Sequence, residues 1–129
     1  MLITPINKEK ELSGIEANYY GVTLIVARAN NTNFKRLFRT LISPHKYQME
    51  NGQTIPEEIS EDIMLQCYSK TILVGWKDFK DAEGKEYKYS IENAYDLLKE
   101  DEDAYDFVKN QAGSMDAFMN KEVKDTKGK

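Results

Sequence analysis

Side chains able to do chemistry are few in this sequence, and their spacing assembles none of the usual reactive sets. His45 is the sole histidine and Cys67 the sole cysteine. His45 follows Pro44 in a polar stretch, with no carboxylate or thiol at the spacing a zinc site needs. A Ser-His-Asp or Cys-His relay could use only His45, and nothing in the sequence places a serine or Cys67 beside it. Cys67 falls in an apolar helical pattern, which points to a buried, inert thiol. The glycine patterns that cradle phosphates, Gly-x-x-x-x-Gly-Lys-Ser/Thr and Gly-x-Gly-x-x-Gly, are absent. Glu100, Asp101, Glu102, Asp103 and Asp106 cluster, but lack the central glycine and closing Glu of a calcium loop. They suit a helix start, where carboxylates meet the positive end of the helix dipole. The expectation is a protein that is not an enzyme, with no catalytic residue, no metal site and no cofactor.

Apolar and aromatic surface is the other resource. The chain carries eight Tyr, five Phe and one Trp. Trp76, Phe79, Tyr87 and Tyr89 gather around Gly84 and are expected to close the core. Met115, Phe118, Met119 and Val123 fall on a short helical pattern near a charged end. Flexible Met-rich faces suit protein partners. The candidate partner-binding residues are therefore Phe107, Val108, Met115, Phe118 and Met119. The basic face of Lys35, Arg36 and Arg39 is the next candidate. A net charge of -4 argues against general nucleic-acid binding, which needs clustered cations. No apolar run approaches the roughly 20 residues of a membrane span. The apolar start Met1-Leu2-Ile3 precedes the charged Lys8-Glu9-Lys10, the reverse of a signal peptide's order, so the expected compartment is the cytoplasm.

These residues must be positioned by local elements. The 129 residues suffice for one modest core. Ile15 to Tyr20, then Val22 to Ala27 in strict alternation, predict an antiparallel hairpin near residues 14–29. Both alternating sets of the second arm are largely apolar, so each face should touch something. Asn30-Asn31-Thr32 offers cap oxygens to a helix whose Phe34, Leu37, Phe38, Leu41 and Ile42 make one stripe, ending at Ser43-Pro44. Residues 45–53 read as a loop. Pro56 with Glu57 and Glu58 announces a second helix, with Ile59, Ile63, Cys67, Thr71 and Val74 as its stripe, running to about Gly75 or Trp76. Trp76–Phe79 and Glu86–Tyr89 read as paired arms around the Gly84 turn. Ser90 caps a third helix, Asp101 or Asp103 starts a fourth, and Gly113 stops it. The fold class is α+β: a mainly α-helical single domain, residues 1–129, with an N-terminal β-hairpin. Residues 1–13 and 124–129 are expected to be loosely ordered. Phe34, Leu37, Phe38, Leu41, Ile63, Cys67, Val74 and Leu98 should be mostly buried.

Several of these stretches, in this order, resemble a known family. They are Gly21-Val22-Thr23-Leu24-Ile25-Val26-Ala27-Arg28 with Asn31-x-x-Phe34 and a basic helix ending at Pro44; Ile72-Leu73-Val74-Gly75-Trp76; Asp81-x-x-Gly84-Lys85; Tyr89-Ser90-x-Glu92-Asn93-Ala94 with Leu97-Leu98; and an acidic helix start followed by Phe118 and a lysine-rich end. The arrangement is similar to the tail assembly chaperones of long-tailed, lambda-like bacteriophages. The resemblance implies a non-catalytic role: binding the tape measure protein, keeping it soluble and helping the tail tube form around it. It further implies self-association, contact with the major tail tube protein through a frameshifted longer form, residence in the host cell cytoplasm and absence from the mature virion. The alternative is a small virion structural protein, such as a tail terminator or head-completion protein. A small phage regulator that binds a host enzyme stands third.

Overall fold

The computed structural model describes residues 8–114 of the chain. In chain order these form α1 (Lys8–Ser13), β1 (Ile15–Tyr19), β2 (Val22–Val26), α2 (Thr32–Ile42), α3 (Lys46–Glu50), α4 (Glu57–Cys67), β3 (Leu73–Lys77), α5 (Ile91–Glu100) and α6 (Glu102–Ala112). The class is α+β, with the N-terminal hairpin as expected. β1 and β2 pair antiparallel from Ile15↔Val26 to Tyr19↔Val22. Their two-residue turn puts Tyr20 at φ 48° and Gly21 at φ 86°. Two positive φ values match the right-handed twist of the flanking strands.

β3 completes the sheet in the order β1-β2-β3, pairing antiparallel with β2 through Leu24↔Trp76 and Ile25↔Gly75. The sequence pattern carries the second helix through these residues, because Thr71 and Val74 continue its stripe. The structure instead ends α4 at Cys67 and widens Tyr68–Ile72 into a π-helical turn. There the Leu73 N–H donates back to the Tyr68 carbonyl, and Thr71 Oγ1 donates to the Cys67 carbonyl at 2.7 Å. The wide turn releases Leu73 into extended backbone. The open edge of β2, apolar on both faces, gains more from a third strand than α4 would from another turn. Trp76 thus sits in β3. The arms around Gly84 meet through a Lys80↔Glu86 bridge and a Tyr87 N–H donated to the Phe79 carbonyl.

Leu24 and Val26 on one face of β2 are fully buried, with Phe34, Ile63, Cys67, Ile72, Leu73, Leu98 and Val108 in the same core. Leu37, Phe38, Leu41 and Val74, expected to be mostly buried, are only half-buried, and Ile59 is exposed. The stripe of α2 is wider than the surface that covers it. Lys46–Glu50 forms a short helix where the sequence reads as loop, and Lys8–Ser13 forms another where no period is visible. α1 is tied in by Arg28, whose N–H donates to the Glu11 carbonyl at 3.0 Å and whose guanidinium faces the Glu11 carboxylate at 3.5 Å.

Gly14 joins α1 to β1 at φ 93°, and a Cβ there would lie 2.9 Å from Ile25 Cγ2 and 3.1 Å from the Val26 carbonyl carbon. Gly14→Ala combines backbone strain with a clash against main chain. It should cost about 2 kcal/mol in urea unfolding. Gly84→Ala, which meets no neighbouring atom despite φ 79°, should cost less.

Candidate functional site

Helical spacing in α2 sets two rows side by side: Phe34 with Phe38, and Lys35 with Arg39, each pair four residues apart. Asn31 fixes where this helix begins. Its side-chain oxygen accepts the Phe34 N–H at 2.9 Å, and its amide donates to the carbonyls of Arg28 (2.8 Å) and Thr71 (3.3 Å). One buried residue therefore caps α2 and ties it to the π-helical turn below α4. Between α2 and α4 lies an open groove of about 700 Å³ lined by Ala29, Asn30, Phe34, Lys35, Phe38, Arg39, Met64 and Tyr68. The rings of Phe34 and Phe38 are parallel at 6.3 Å, and Tyr68 meets Phe34 edge-on at 5.6 Å. Tyr68 reaches this position from the π-helical turn. Burial raises its phenol pKa above the ordinary value. Lys35, Arg36 and Arg39 are exposed, and no ion pair to them is present among the described residues. The groove thus has an aromatic and thioether floor and a basic rim.

A second cavity, about 850 Å³, lies on the other side of α4 against α5 and α6. Its lining is mixed polar and apolar, and several of its polar groups are engaged with each other. Tyr95 Oη donates a short hydrogen bond to Asp62 Oδ1, and Gln66 Nε2 donates to Asp62 Oδ2 at 2.7 Å. Lys109 pairs with Asp106 at 3.3 Å and lies 4.3 Å over the Tyr105 ring. The bond from Tyr95 holds the Asp62 carboxyl below its ordinary range and raises the Tyr95 phenol to about 12. A carboxyl with a lowered folded pKa stabilises above its unfolded value and loses that contribution as pH falls through the folded one. Tyr95→Phe should therefore destabilise by about 1 kcal/mol at pH 7, given the partial exposure. The difference from wild type should shrink below pH 4. Thermal unfolding of both proteins from pH 2 to 7 measures it. A gap that stays constant to pH 2 would show that the carboxylate is not the acceptor that matters.

The chemistry-bearing residues do not converge. Cys67 is fully buried, and burial raises its thiol pKa, which keeps it protonated and a poor nucleophile. Among the described residues no three His, Cys, Asp or Glu side chains come together as a metal ion would require. Nor is any of their helices long and apolar enough to cross a membrane.

Of the partner-binding candidates read from the sequence, Val108 is fully buried, so its side chain cannot meet a partner in this fold. Helical phase explains it: Ala104, Val108 and Ala112 form the inward row of α6. Phe107 is half-buried, its ring 5.0 Å from that of Tyr19. Met115, Phe118 and Met119 lie outside the described residues. Of the basic face Lys35, Arg36 and Arg39, Lys35 and Arg39 do border a groove. Sequence reasoning missed the apolar half of that groove because Phe34 and Phe38 read equally well as core. The available signal was a stripe in α2 broader than one neighbouring element can cover.

Fold and site together define a small α+β protein with an open apolar groove and a basic rim. Residues 29–129 match the family described as YdaY prophage protein. The match spans most of the chain, so the chain belongs to that family and is of phage origin. No curated protein and no solved structure matches it.

Proposed function

We propose that this prophage protein is a tail assembly chaperone: a non-enzymatic binding protein that holds a helical segment of the tape measure protein in the groove between α2 and α4. The groove carries the reading. Half-buried Phe38 and Met64 lie open to a guest over the edges of the buried Phe34 and Tyr68 rings, beside the exposed cations Lys35 and Arg39, and apolar grooves between helices suit amphipathic helices. Phage origin agrees with the resemblance of the hairpin, the Trp76 segment and the Ser90-capped helix to that chaperone family. The role places the protein in the host cell cytoplasm, working as several copies, with the major tail tube protein as a second partner through a longer form.

The test is co-expression with the tape measure protein of the same prophage and capture on a tag carried by either partner. Wild type should retain the tape measure protein in the soluble fraction. Phe38→Asp, at a half-buried position, should reduce capture at least tenfold while the circular dichroism is kept. Equal capture by both, or recovery of the protein as a fixed part of purified tails, would overturn the chaperone reading.

A further inference from the structure

The charge on the groove rim selects the class of guest. Lys35 and Arg39 border an apolar floor, with Arg36 exposed beside them, in a chain whose net charge is -4. No acid occupies the first turn of α2, and no carboxylate among the described residues pairs with these three cations. Apart from Ala29 and Asn30 the groove is walled by helical residues, whose backbone groups are used within the helix. A guest must satisfy its own backbone hydrogen bonds, so it enters as a helix and not as an added strand. α2 has 11 residues, which is about 16 Å at 1.5 Å per residue, or three turns of guest.

We propose that the groove binds an acidic amphipathic helix, three to five turns long, with an apolar stripe on Phe38 and Met64 and the exposed edges of Phe34 and Tyr68, and Asp or Glu flanks on Lys35 and Arg39. This deepens the chaperone reading, on which it rests, by assigning the client's docking segment a charge. Nucleic acid is the other polyanion such a rim could meet. Only two cations, Lys35 and Arg39, border the groove, and its floor is mostly apolar, which favours the peptide.

The probe is a fluorescein-labelled 18-residue helical peptide with Leu and Phe at i, i+3, i+4 and i+7 and Glu on both flanks, beside a twin with Lys in place of Glu. Fluorescence anisotropy on the full chain should show the Glu peptide binding at least tenfold tighter than the Lys twin, and weakening as salt rises. Lys35→Glu with Arg39→Glu changes exposed side chains. It should keep the fold, weaken the Glu peptide about tenfold and strengthen the Lys twin. Equal binding of the two peptides, or none, overturns the proposal. So does an oligo-dT that binds with the same dependence on Lys35 and Arg39. Self-association that this double variant abolishes in sedimentation makes a second copy the occupant. Binding that emerges only after Phe118→Asp with Met119→Asp makes the chain's own C-terminal segment the occupant; either result overturns it. If the charge swap holds but tape-measure capture fails, the chaperone reading falls and the groove's preference stands. If capture survives the double variant, only the preference falls.

Discussion

Trp76→Ala should unfold this protein more readily than any other single truncation outside the helices, by about 3–5 kcal/mol. The indole is 8% exposed and touches three other rings: Phe79 at 5.0 Å, Tyr87 stacked at 5.5 Å and Tyr89 edge-on at 5.1 Å. Its N–H donates to the Tyr87 carbonyl at 2.7 Å. Removing the side chain leaves a cavity, unstacks the aromatic arms and deprives that carbonyl of its donor. Tyr89 Oη donates to the Leu73 carbonyl at 2.7 Å, so the same cluster anchors the start of β3. Trp76→Phe separates the contributions, because it keeps most of the ring packing and loses the donor. Its cost should be about half that of Trp76→Ala. Urea unfolding with an unchanged slope measures both. A loss under about 1 kcal/mol for Trp76→Ala would mean that the arms around Gly84 are not part of the cooperative core.

Asn31→Ala is expected to cost about 2–4 kcal/mol and to damage the groove as well. Loss of the cap contributes about 1–2 kcal/mol. The rest comes from the two carbonyls of Arg28 and Thr71 that lose the Asn31 amide in a site 1% exposed. Asn31→Ser should recover part of the cap but not the tie to the π-helical turn. It should therefore fall between wild type and Asn31→Ala in melting temperature. Binding of the acidic peptide should follow the same order, since Asn31 sets the position of Phe34 and Lys35 relative to Tyr68. Unchanged peptide binding in a destabilised but folded Asn31→Ala would show that α2 keeps its place by side-chain packing alone.

Local patterns carried much of the architecture. Alternation in Val22–Ala27 with Tyr20-Gly21 between the arms is enough for a hairpin, because β-branched residues fit a pleated surface and glycine accepts positive φ. Asn30-Asn31-Thr32, Ser90, and Asp101 or Asp103 announce helix starts, and the side chains that accept a backbone N–H at the caps are those of Asn31, Ser90 and Asp101. Such caps are contacts within three residues, so sequence narrows each start to a few positions. Phage origin was likewise legible in the order of these segments.

What happens at residues 68–77 is decided by tertiary structure. Thr71, Ile72, Leu73 and Val74 satisfy a helical stripe and a strand equally well, and only the free edge of β2 makes the strand the better outcome. The same limit governs the site. A stripe of Phe34, Leu37, Phe38 and Leu41 shows that α2 is amphipathic, but not which part of the stripe another helix covers. Once α4 packs against α2, Phe34 is buried and Phe38 remains half-open beside Lys35 and Arg39. Val108 shows the converse, an apolar residue that reads as available surface and is consumed by the core. Periodicity tells which side chains share a face. The neighbour that arrives on that face, from far along the chain, determines whether it becomes core or binding groove.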